Sequence, residues 1–139
     1  MAEEVYVTHW GNTAASHPDE PDYDFALRIV EVDKVVASRS LQRSAWARAS
    51  LARGELADTL PALKRKPGKD IITFGGIGFA TSLLEEDLVD DLQLFVNPFV
   101  LGDGLSIFQP DRPRPLKLIQ STSYDCGMVV SRYQCSSGS

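Results

Sequence analysis

The stretch DIITFGGIGFATSLLEE, residues 70–86, decides the fold of this chain. Its apolar residues at 71–74 are typical of a short strand, and they run directly into the glycines of GGIG at 75–78. Behind the glycines, helical spacing predicts one apolar face, made of Phe79, Leu83, Leu84 and Leu88. The stretch therefore predicts a strand, a glycine turn and a helix, the unit from which α/β proteins are built.

The glycines allow two interpretations. Gly75, Gly76 and Gly78 have no Cβ, so a pyrophosphate could approach the backbone N–H groups where the helix dipole also favours an anion. Alternatively, they only make a tight turn and allow close helix packing. GGIG matches neither GxGxxG nor a P-loop, so the spacing leaves both interpretations open. Thr81 and Ser82, in the first helical turn, could add hydroxyl donors.

Further elements are predicted on both sides of this stretch. Upstream, we expect a helix near Phe25–Val30, a strand over Lys34–Ser38, an ambiguous stretch from Trp46 to Arg53, and a helix within Gly54–Lys66 that Pro61 kinks or starts. Downstream, we expect a strand over Leu92–Leu101 and a hairpin of Leu116–Tyr124 with Met128–Gln134. This order predicts an α/β fold with a mainly parallel sheet flanked by helices and a C-terminal antiparallel β-hairpin. A single domain is expected over residues 1–134, with a flexible tail at 135–139.

A second strand end also favours an anion. The predicted strand at Lys34–Ser38 ends in Ser38, Arg39 and Ser40, and ligands of open α/β sheets bind beyond the carboxyl ends of strands. A guanidinium with small hydroxyls beside it suits a ribose phosphate. Taken with GGIG, this makes a dinucleotide plausible, and the arginine favours NADP over NAD.

Composition excludes several other classes. The formal charge of −5 gives no support to a nucleic-acid or anionic-membrane surface, and no apolar run approaches the roughly 20 residues of a membrane span. The acidic start MAEEVYVTHW does not resemble a signal peptide, so a cytoplasmic location is expected. Cys126 and Cys135 are expected to be reduced thiols, and His9 and His17 are too few for a zinc site.

The run from Pro67 to Phe108, PGKDIITFGGIGFATSLLEEDLVDDLQLFVNPFVLGDGLSIF, resembles the dihydrofolate reductase-like family. It is most similar to the C-terminal reductase domain of the bacterial bifunctional riboflavin-biosynthesis deaminase-reductase. KVVASRSL and the hairpin KLIQSTSYDCGMVVSRYQ extend the match over Phe25–Gln134. A homodimer is also expected, since members of this family tend to pair.

The resemblance implies a cofactor site and a reaction. Ser38 and Arg39 would contact the adenosine end of NADPH. The pyrophosphate would lie on Gly75, Gly76, Ile77 and Gly78, with Phe79 beside it. The implied activity is hydride transfer to a pyrimidine or pterin-like small molecule, as in 5-amino-6-(5-phosphoribosylamino)uracil reductases, without a metal. No catalytic residue is assigned.

The N-terminus departs from the family pattern. Relatives begin with an apolar strand, a substrate loop and the motif G-R-x-T-Y-E, whereas here AEEVYVTHW aligns through Tyr6, with Ala2 and Glu3 in place of glycine and arginine. The central strand and the substrate loop are therefore expected to be missing, which would leave unpaired sheet edges that a second chain could cover. The alternative to a reductase is accordingly a shortened, non-catalytic relative that acts as a nucleotide-binding or dimeric interaction module.

Other reactive residues have ordinary structural interpretations. The acidic residues between Glu85 and Asp91 are expected to form a solvated face, and Trp10 and Trp46 are expected to be packing residues rather than platforms for stacking a ligand. Neither histidine has a carboxylate at a telling spacing. Asn97, where Pro98 bends the predicted strand, remains a weak candidate for a substrate contact.

Overall fold

The computed structural model describes residues 2–16, 18–19, 21–109 and 111–135 of the chain, without the side chains of residues 2–5 and 7. It forms two compact units, residues 1–55 and 56–139, which are taken in turn. A single domain over residues 1–134 stays a prediction. His17 and the tail at 136–139 lie outside the described residues, whereas Cys135 belongs to a strand.

The first unit contains two helices and a parallel pair of strands. Its elements are α1 (Ala2–Ser16), α2 (Tyr23–Glu31), β1 (Lys34–Ala37) and β2 (Ala49–Ala52). β1 pairs with β2 in parallel, from Lys34 opposite Ala49 to Ala37 opposite Ala52. The predicted helix and the strand at Lys34 are confirmed, and the ambiguous stretch holds β2.

Aromatic side chains pack the first unit. Trp10 on α1 meets Phe25 on α2 edge-to-face at 4.9 Å between ring centroids. Tyr6 bridges Trp10 and Trp46, with centroids 5.9 Å and 5.5 Å away respectively. Pairs in this distance range are favourable beyond their buried area. The packing roles predicted for both tryptophans are confirmed.

The ammonium of Lys34 ties three segments of the first unit together. It donates to the carbonyls of Val30 (2.9 Å) and Val32 (2.7 Å) at the end of α2. It also donates to Ala47 at 3.4 Å and lies 5.3 Å from the centroid of the Trp46 ring. A cation at a helix C-terminus satisfies carbonyls that the helix leaves free. Lys34 therefore fixes the start of β1 against α2 and the loop before β2.

The second unit contains two helices and an antiparallel sheet. Its elements are α3 (Leu56–Lys64), α4 (Ile77–Glu85), β3 (Asp91–Val96), β4 (Leu116–Ser123) and β5 (Val129–Cys135). β5 is central, with β3 and β4 on either side. The predicted C-terminal hairpin is confirmed as β4 and β5, and its turn uses Gly127 at φ +85°, a conformation that glycine adopts without strain. Leu83 and Leu84 of α4 are buried, as the helical spacing predicted, and Phe79 is half-buried. Leu88 is buried as well, but it lies beyond the end of the helix at Glu85.

The expectation of a mainly parallel sheet is wrong for the described residues. The parallel sheet has two strands and the antiparallel sheet has three, so the fold is a mixed α/β fold. The predicted strand at Ile71–Phe74 is irregular backbone, and all of its residues are exposed. A strand forms only against a partner that takes its N–H and C=O groups, and no described strand pairs with this segment.

Two predicted elements have different bounds in the structure. β3 ends at Val96, so residues 97–101 are not the continuation of a strand. α3 runs from Leu56 to Lys64 with Pro61 inside it, rather than starting at the proline. The proline costs the helix one N–H donor, but the helix resumes at once, because the Arg65 N–H donates to the Pro61 carbonyl at 3.2 Å.

None of the helices within the described residues has the length and hydropathy that crossing a membrane requires. Among the same residues, no three histidine, cysteine, aspartate or glutamate side chains lie close enough together to hold a metal ion.

Candidate functional site

The start of α4 presents backbone N–H groups to solvent. Gly76 is the N-cap, with φ −75° and ψ 172°, and its carbonyl accepts hydrogen bonds from the N–H groups of Phe79 and Ala80, each at 3.1 Å. An α-helix leaves its first N–H groups without an acceptor inside the helix. In α4 these belong to Ile77 and Gly78, which precede the two bonded residues and are exposed. The helix dipole adds positive potential at the same point, so the position favours an anion.

The glycines of this turn fall into two kinds. A Cβ built on Gly76 or Gly78 would meet nothing within 4 Å. A Cβ on Gly75 would lie 2.7 Å from Cδ1 of Phe79, closer than real Cβ contacts come. Gly75 therefore serves close packing, whereas Gly76 and Gly78 leave open space over the free N–H groups. Each of the two interpretations of GGIG thus has a physical basis at different glycines.

The two hydroxyls predicted as extra donors are used inside the protein. The Thr81 hydroxyl donates to the Ile107 carbonyl at 3.3 Å, and the Ser82 hydroxyl donates to the Gly78 carbonyl at 3.0 Å. Neither hydroxyl proton is free to bind an anion in this arrangement. The anion-binding capacity of the α4 start therefore rests on backbone N–H groups.

The loop after β1 is shaped by the Ser38 side chain. The Ser38 N–H extends the parallel ladder by donating to the Ala52 carbonyl at 3.2 Å. Its Oγ accepts the N–H groups of Ser40 (3.3 Å) and Leu41 (3.1 Å), a serine turn that curls the chain away from the strand. Ser38 thus has a structural role in shaping this loop.

Arginines surround this loop. Residues 38–53 contain four arginines and no aspartate or glutamate. Arg48 pairs with Asp33 at 2.7 Å, and Arg53 donates to the Gln42 carbonyl at 2.7 Å. Within the ranges that the structure describes, no hydrogen bond or ion pair is recorded for the exposed guanidiniums of Arg39 and Arg43. Sequence reasoning singled out Arg39 and missed Arg43, although the charge count of this segment was visible in the sequence.

The second unit also has a cavity of about 280 Å³ that does not include the glycine turn. Leu84, Ile107 and Phe108 give it apolar walls, and Arg112 and Arg114 lie at its side. Both guanidiniums bond to Asp87, so their charge is partly satisfied within the protein. The cavity therefore offers little net charge to a ligand.

The predicted site residues fall into two groups. Ser38 and Arg39 lie together at the end of β1 in the first unit. Gly75, Gly76, Ile77, Gly78 and Phe79 lie together at the start of α4 in the second unit. His9 is exposed and contacts Trp10 edge-to-face, with 4.6 Å between ring centroids, and Asn97 is exposed just after β3.

Comparisons with known proteins place this geometry in a family. The family model described as the RibD C-terminal domain matches residues 8–130. The uncharacterized protein YyaP of Bacillus subtilis (strain 168) is 29% identical over 126 residues, covering 89% of this chain and 66% of YyaP. The chain thus spans just under two thirds of the length of this relative.

A solved structure shares the fold. The crystal structure of a "Putative riboflavin biosynthesis protein" from Shewanella sp. PV-4 superposes with a TM-score of 0.64 at 18% sequence identity. The superposition covers 93% of this chain and 88% of that one. At 18% sequence identity the structural similarity supports the fold alone, and the family assignment rests on the family model. The chain belongs to the RibD C-terminal domain family.

Proposed function

We propose that this protein is an NADPH-dependent reductase that transfers hydride to a pyrimidine or pterin-like small molecule. The observation that carries the proposal is the open, glycine-lined start of α4, where exposed N–H groups stand with free space above Gly76 and Gly78. Membership of the RibD C-terminal domain family supports the same activity class.

Each of the two groups of predicted site residues, taken by itself, fits one charged part of the cofactor. The pyrophosphate would be held by the N–H groups of Ile77 and Gly78, because two glycines without Cβ atoms let its oxygens approach. The 2′-phosphate would be held by Arg39, whose guanidinium has no recorded partner in the described residues and can bind a phosphate through two N–H groups.

The bound cofactor supplies the hydride, and the protein's task is to hold and orient it. Ser38 contributes by shaping the loop that carries Arg39, through its two backbone contacts at Ser40 and Leu41. Phe79 contributes by packing on Gly75, which sets the backbone path into the helix. These contacts fix positions before the cofactor arrives, which lowers the entropy lost on binding.

One observation favours the alternative function, a dimeric interaction module without turnover. Ile71 and Ile72 are 47% and 74% exposed and belong to none of the described strands, although their sequence is that of a strand. An exposed apolar segment of this kind is typical of a surface that another chain covers. Such a protein would retain the fold, and nucleotide binding could persist without a reaction.

The test is a titration of the purified protein with NADPH and with NADH, followed by nicotinamide fluorescence. NADPH is expected to bind in the micromolar range and NADH more weakly. Arg39→Ala should weaken NADPH binding about 10- to 100-fold, since a charge-assisted hydrogen bond contributes roughly 1.5–3 kcal/mol. The control is Arg28→Ala, which removes an exposed arginine from the last turn of α2 and should leave both affinities unchanged.

An assay of NADPH oxidation then distinguishes the reductase from the interaction module. Oxidation of NADPH with a pyrimidine or pterin substrate would establish the reductase. NADPH binding without oxidation across such substrates would favour the interaction module. If neither nucleotide binds, the reductase proposal is wrong for this chain.

A further inference from the structure

The Asp103 carboxylate contacts the backbone of the residue that follows it. Its Oδ1 accepts a hydrogen bond from the Gly104 N–H at 2.7 Å. Because Oδ1 is bonded to Cγ, this short contact also brings Cγ of Asp103 close to the Gly104 nitrogen. Both residues are exposed and lie in irregular backbone between β3 and β4, so no helix or strand engages that nitrogen. A carboxyl carbon therefore lies beside a backbone nitrogen with which it can form a cyclic imide.

Gly104 leaves the approach to this nitrogen open. A Cβ built on Gly104 would meet nothing within 4 Å, so neither a side chain of its own nor a neighbouring atom shields the nitrogen. The sequence contains no other Asp-Gly pair and no Asn-Gly pair. Asp125 provides a comparison, because it is also exposed in a turn, but the residue after it is Cys126, whose side chain crowds the nitrogen. Position 103 therefore combines closeness and access in a way that position 125 does not.

From this geometry we propose that Asp103–Gly104 is a site of spontaneous backbone modification, at which aspartate converts to isoaspartate. In the first step the Gly104 nitrogen forms a bond to Cγ of the protonated carboxyl group, and the amide proton leaves with the carboxyl hydroxyl as water. In the second step water opens the cyclic imide. Addition of water at Cγ restores aspartate. Addition at the backbone carbonyl carbon of Asp103 breaks its bond to the Gly104 nitrogen, so that Gly104 stays attached through Cγ. Neither step oxidises or reduces the protein.

The conversion alters the loop beside the cavity of the second unit. Isoaspartate adds the Cβ carbon to the main chain and leaves a free carboxylate on Cα. The same loop continues to Ile107, whose carbonyl accepts the Thr81 hydroxyl at 3.3 Å, and Ile107 and Phe108 line the cavity. The modification therefore lengthens the segment that this hydrogen bond ties to α4. It goes beyond the reductase function and does not depend on it, because neither a cofactor nor a substrate takes part.

Ageing the full chain in heavy-oxygen water tests this proposal. The protein is kept folded at neutral pH for weeks, and peptide mass spectrometry then locates isoaspartate and heavy oxygen, since each opening of the imide inserts one oxygen from the solvent. Both are expected at Asp103, and neither at Asp125. A free peptide with the sequence of residues 100–108 is aged in parallel. The folded protein should convert at least as fast as this peptide, because its loop already holds the nitrogen and the carboxyl group together.

Gly104→Ala is the matched variant, because its Cβ enters open space and the φ of Gly104 is not in the left-handed region. The new methyl group crowds the attacking nitrogen and should slow conversion at least about tenfold, which corresponds to roughly 1.4 kcal/mol on the barrier. Asp103→Glu should abolish it, since the longer side chain would have to close a larger ring. Slower conversion in the folded protein than in the free peptide would overturn the proposal, because the 2.7 Å contact would then protect Asp103. Equal rates for Gly104→Ala and the unchanged protein, or equal conversion at Asp125, would overturn it as well.

Discussion

At Gly78, a substitution that stabilises the fold is expected to weaken cofactor binding. It is the second residue of α4, its φ is not in the left-handed region, and a Cβ placed there meets nothing within 4 Å. Alanine is therefore compatible with the local backbone and the local space. Glycine in a helix is less favourable than alanine by roughly 0.5–1 kcal/mol, so Gly78→Ala should stabilise the protein by about that amount.

The same methyl group should damage the cofactor site. It fills the open space above the free N–H groups, where a pyrophosphate oxygen would need to lie. We expect NADPH affinity to fall at least about tenfold, which corresponds to roughly 1.4 kcal/mol. The variant would thus be more stable and bind more weakly, a combination that general unfolding cannot produce.

Gly11→Ala provides the matched control. Gly11 also lies within a helix, α1, and a Cβ there also meets nothing within 4 Å. It should gain similar stability and leave NADPH affinity unchanged. Urea unfolding followed by circular dichroism measures the first effect, as a rise of roughly 0.3–0.7 M in the midpoint for m near 1.5 kcal/mol/M. Nicotinamide fluorescence measures the second.

Two outcomes would refute this reasoning. If Gly78→Ala bound NADPH as tightly as the unchanged protein, the pyrophosphate would not lie at the start of α4. If Gly78→Ala were destabilised while Gly11→Ala was not, the space above Gly78 would not be open in solution.

Three further predictions concern packing and ionisation. Gly75→Ala should lower the free energy of unfolding by about 1–3 kcal/mol, because the new Cβ would lie 2.7 Å from Phe79 Cδ1. In urea unfolding, adding Phe79→Leu to this variant should recover part of the loss. If Gly75→Ala has no effect on stability, the Phe79 ring moves freely and the close-packing role of Gly75 is wrong. Lys34→Met should lower the free energy of unfolding by about 1–3 kcal/mol, because the carbonyls of Val30 and Val32 lose a charged donor. The control, Lys69→Met, lies in an exposed turn and should change the urea midpoint little. Equal midpoints for the two variants would contradict the role assigned to Lys34. Burial raises the pKa of the Cys135 thiol above its usual value near 9.0; Arg114 opposes this shift, and Asp91, Asp90 and Asp87 add to it. At pH 8 iodoacetamide should therefore modify exposed Cys126 first, as peptide mass spectrometry would show. The folded protein holds the Cys135 proton more tightly than the unfolded chain does. The contribution of this thiol to stability should therefore be complete below about pH 9 and be lost as the pH rises through the raised pKa. If a Cys135→Ser variant loses stability at alkaline pH in the same way, Cys135 is not the source of this pH dependence.

Local patterns determined most helices and the hairpin. Helical spacing predicted the buried Leu83 and Leu84, because one face of a short helix must be apolar wherever it packs. It also placed Leu88 on this face, but α4 ends before that residue. The terminal hairpin was predictable for a similar reason: Gly127 permits the left-handed turn, and two adjacent strands need only each other. The family could also be identified from the ordered run of motifs around GGIG, and the match over residues 8–130 confirms it.

The candidate site was predictable in its residues but not in their roles. The sequence could propose Gly75, Gly76 and Gly78 as one cradle, yet only the coordinates separate the packed Gly75 from the two open glycines. The hydroxyls of Thr81 and Ser82 looked available in the sequence, but a carbonyl on a distant loop and one in the same helix accept their protons. Such acceptors depend on where the chain returns in space, which no local pattern encodes.

By itself, the sequence determined three of the four described helices, α2, α3 and α4, and the terminal hairpin, whereas α1 at Ala2–Ser16 was not predicted. Only the tertiary structure decided which apolar segments become strands. Residues 71–74 and 91–96 both have strand composition, but among the described residues only the second segment forms a strand, which pairs with β5. A helix satisfies its backbone from within, whereas a strand depends on a neighbour that is distant in sequence, and for that reason the sheet was the part of this fold that the sequence left undecided.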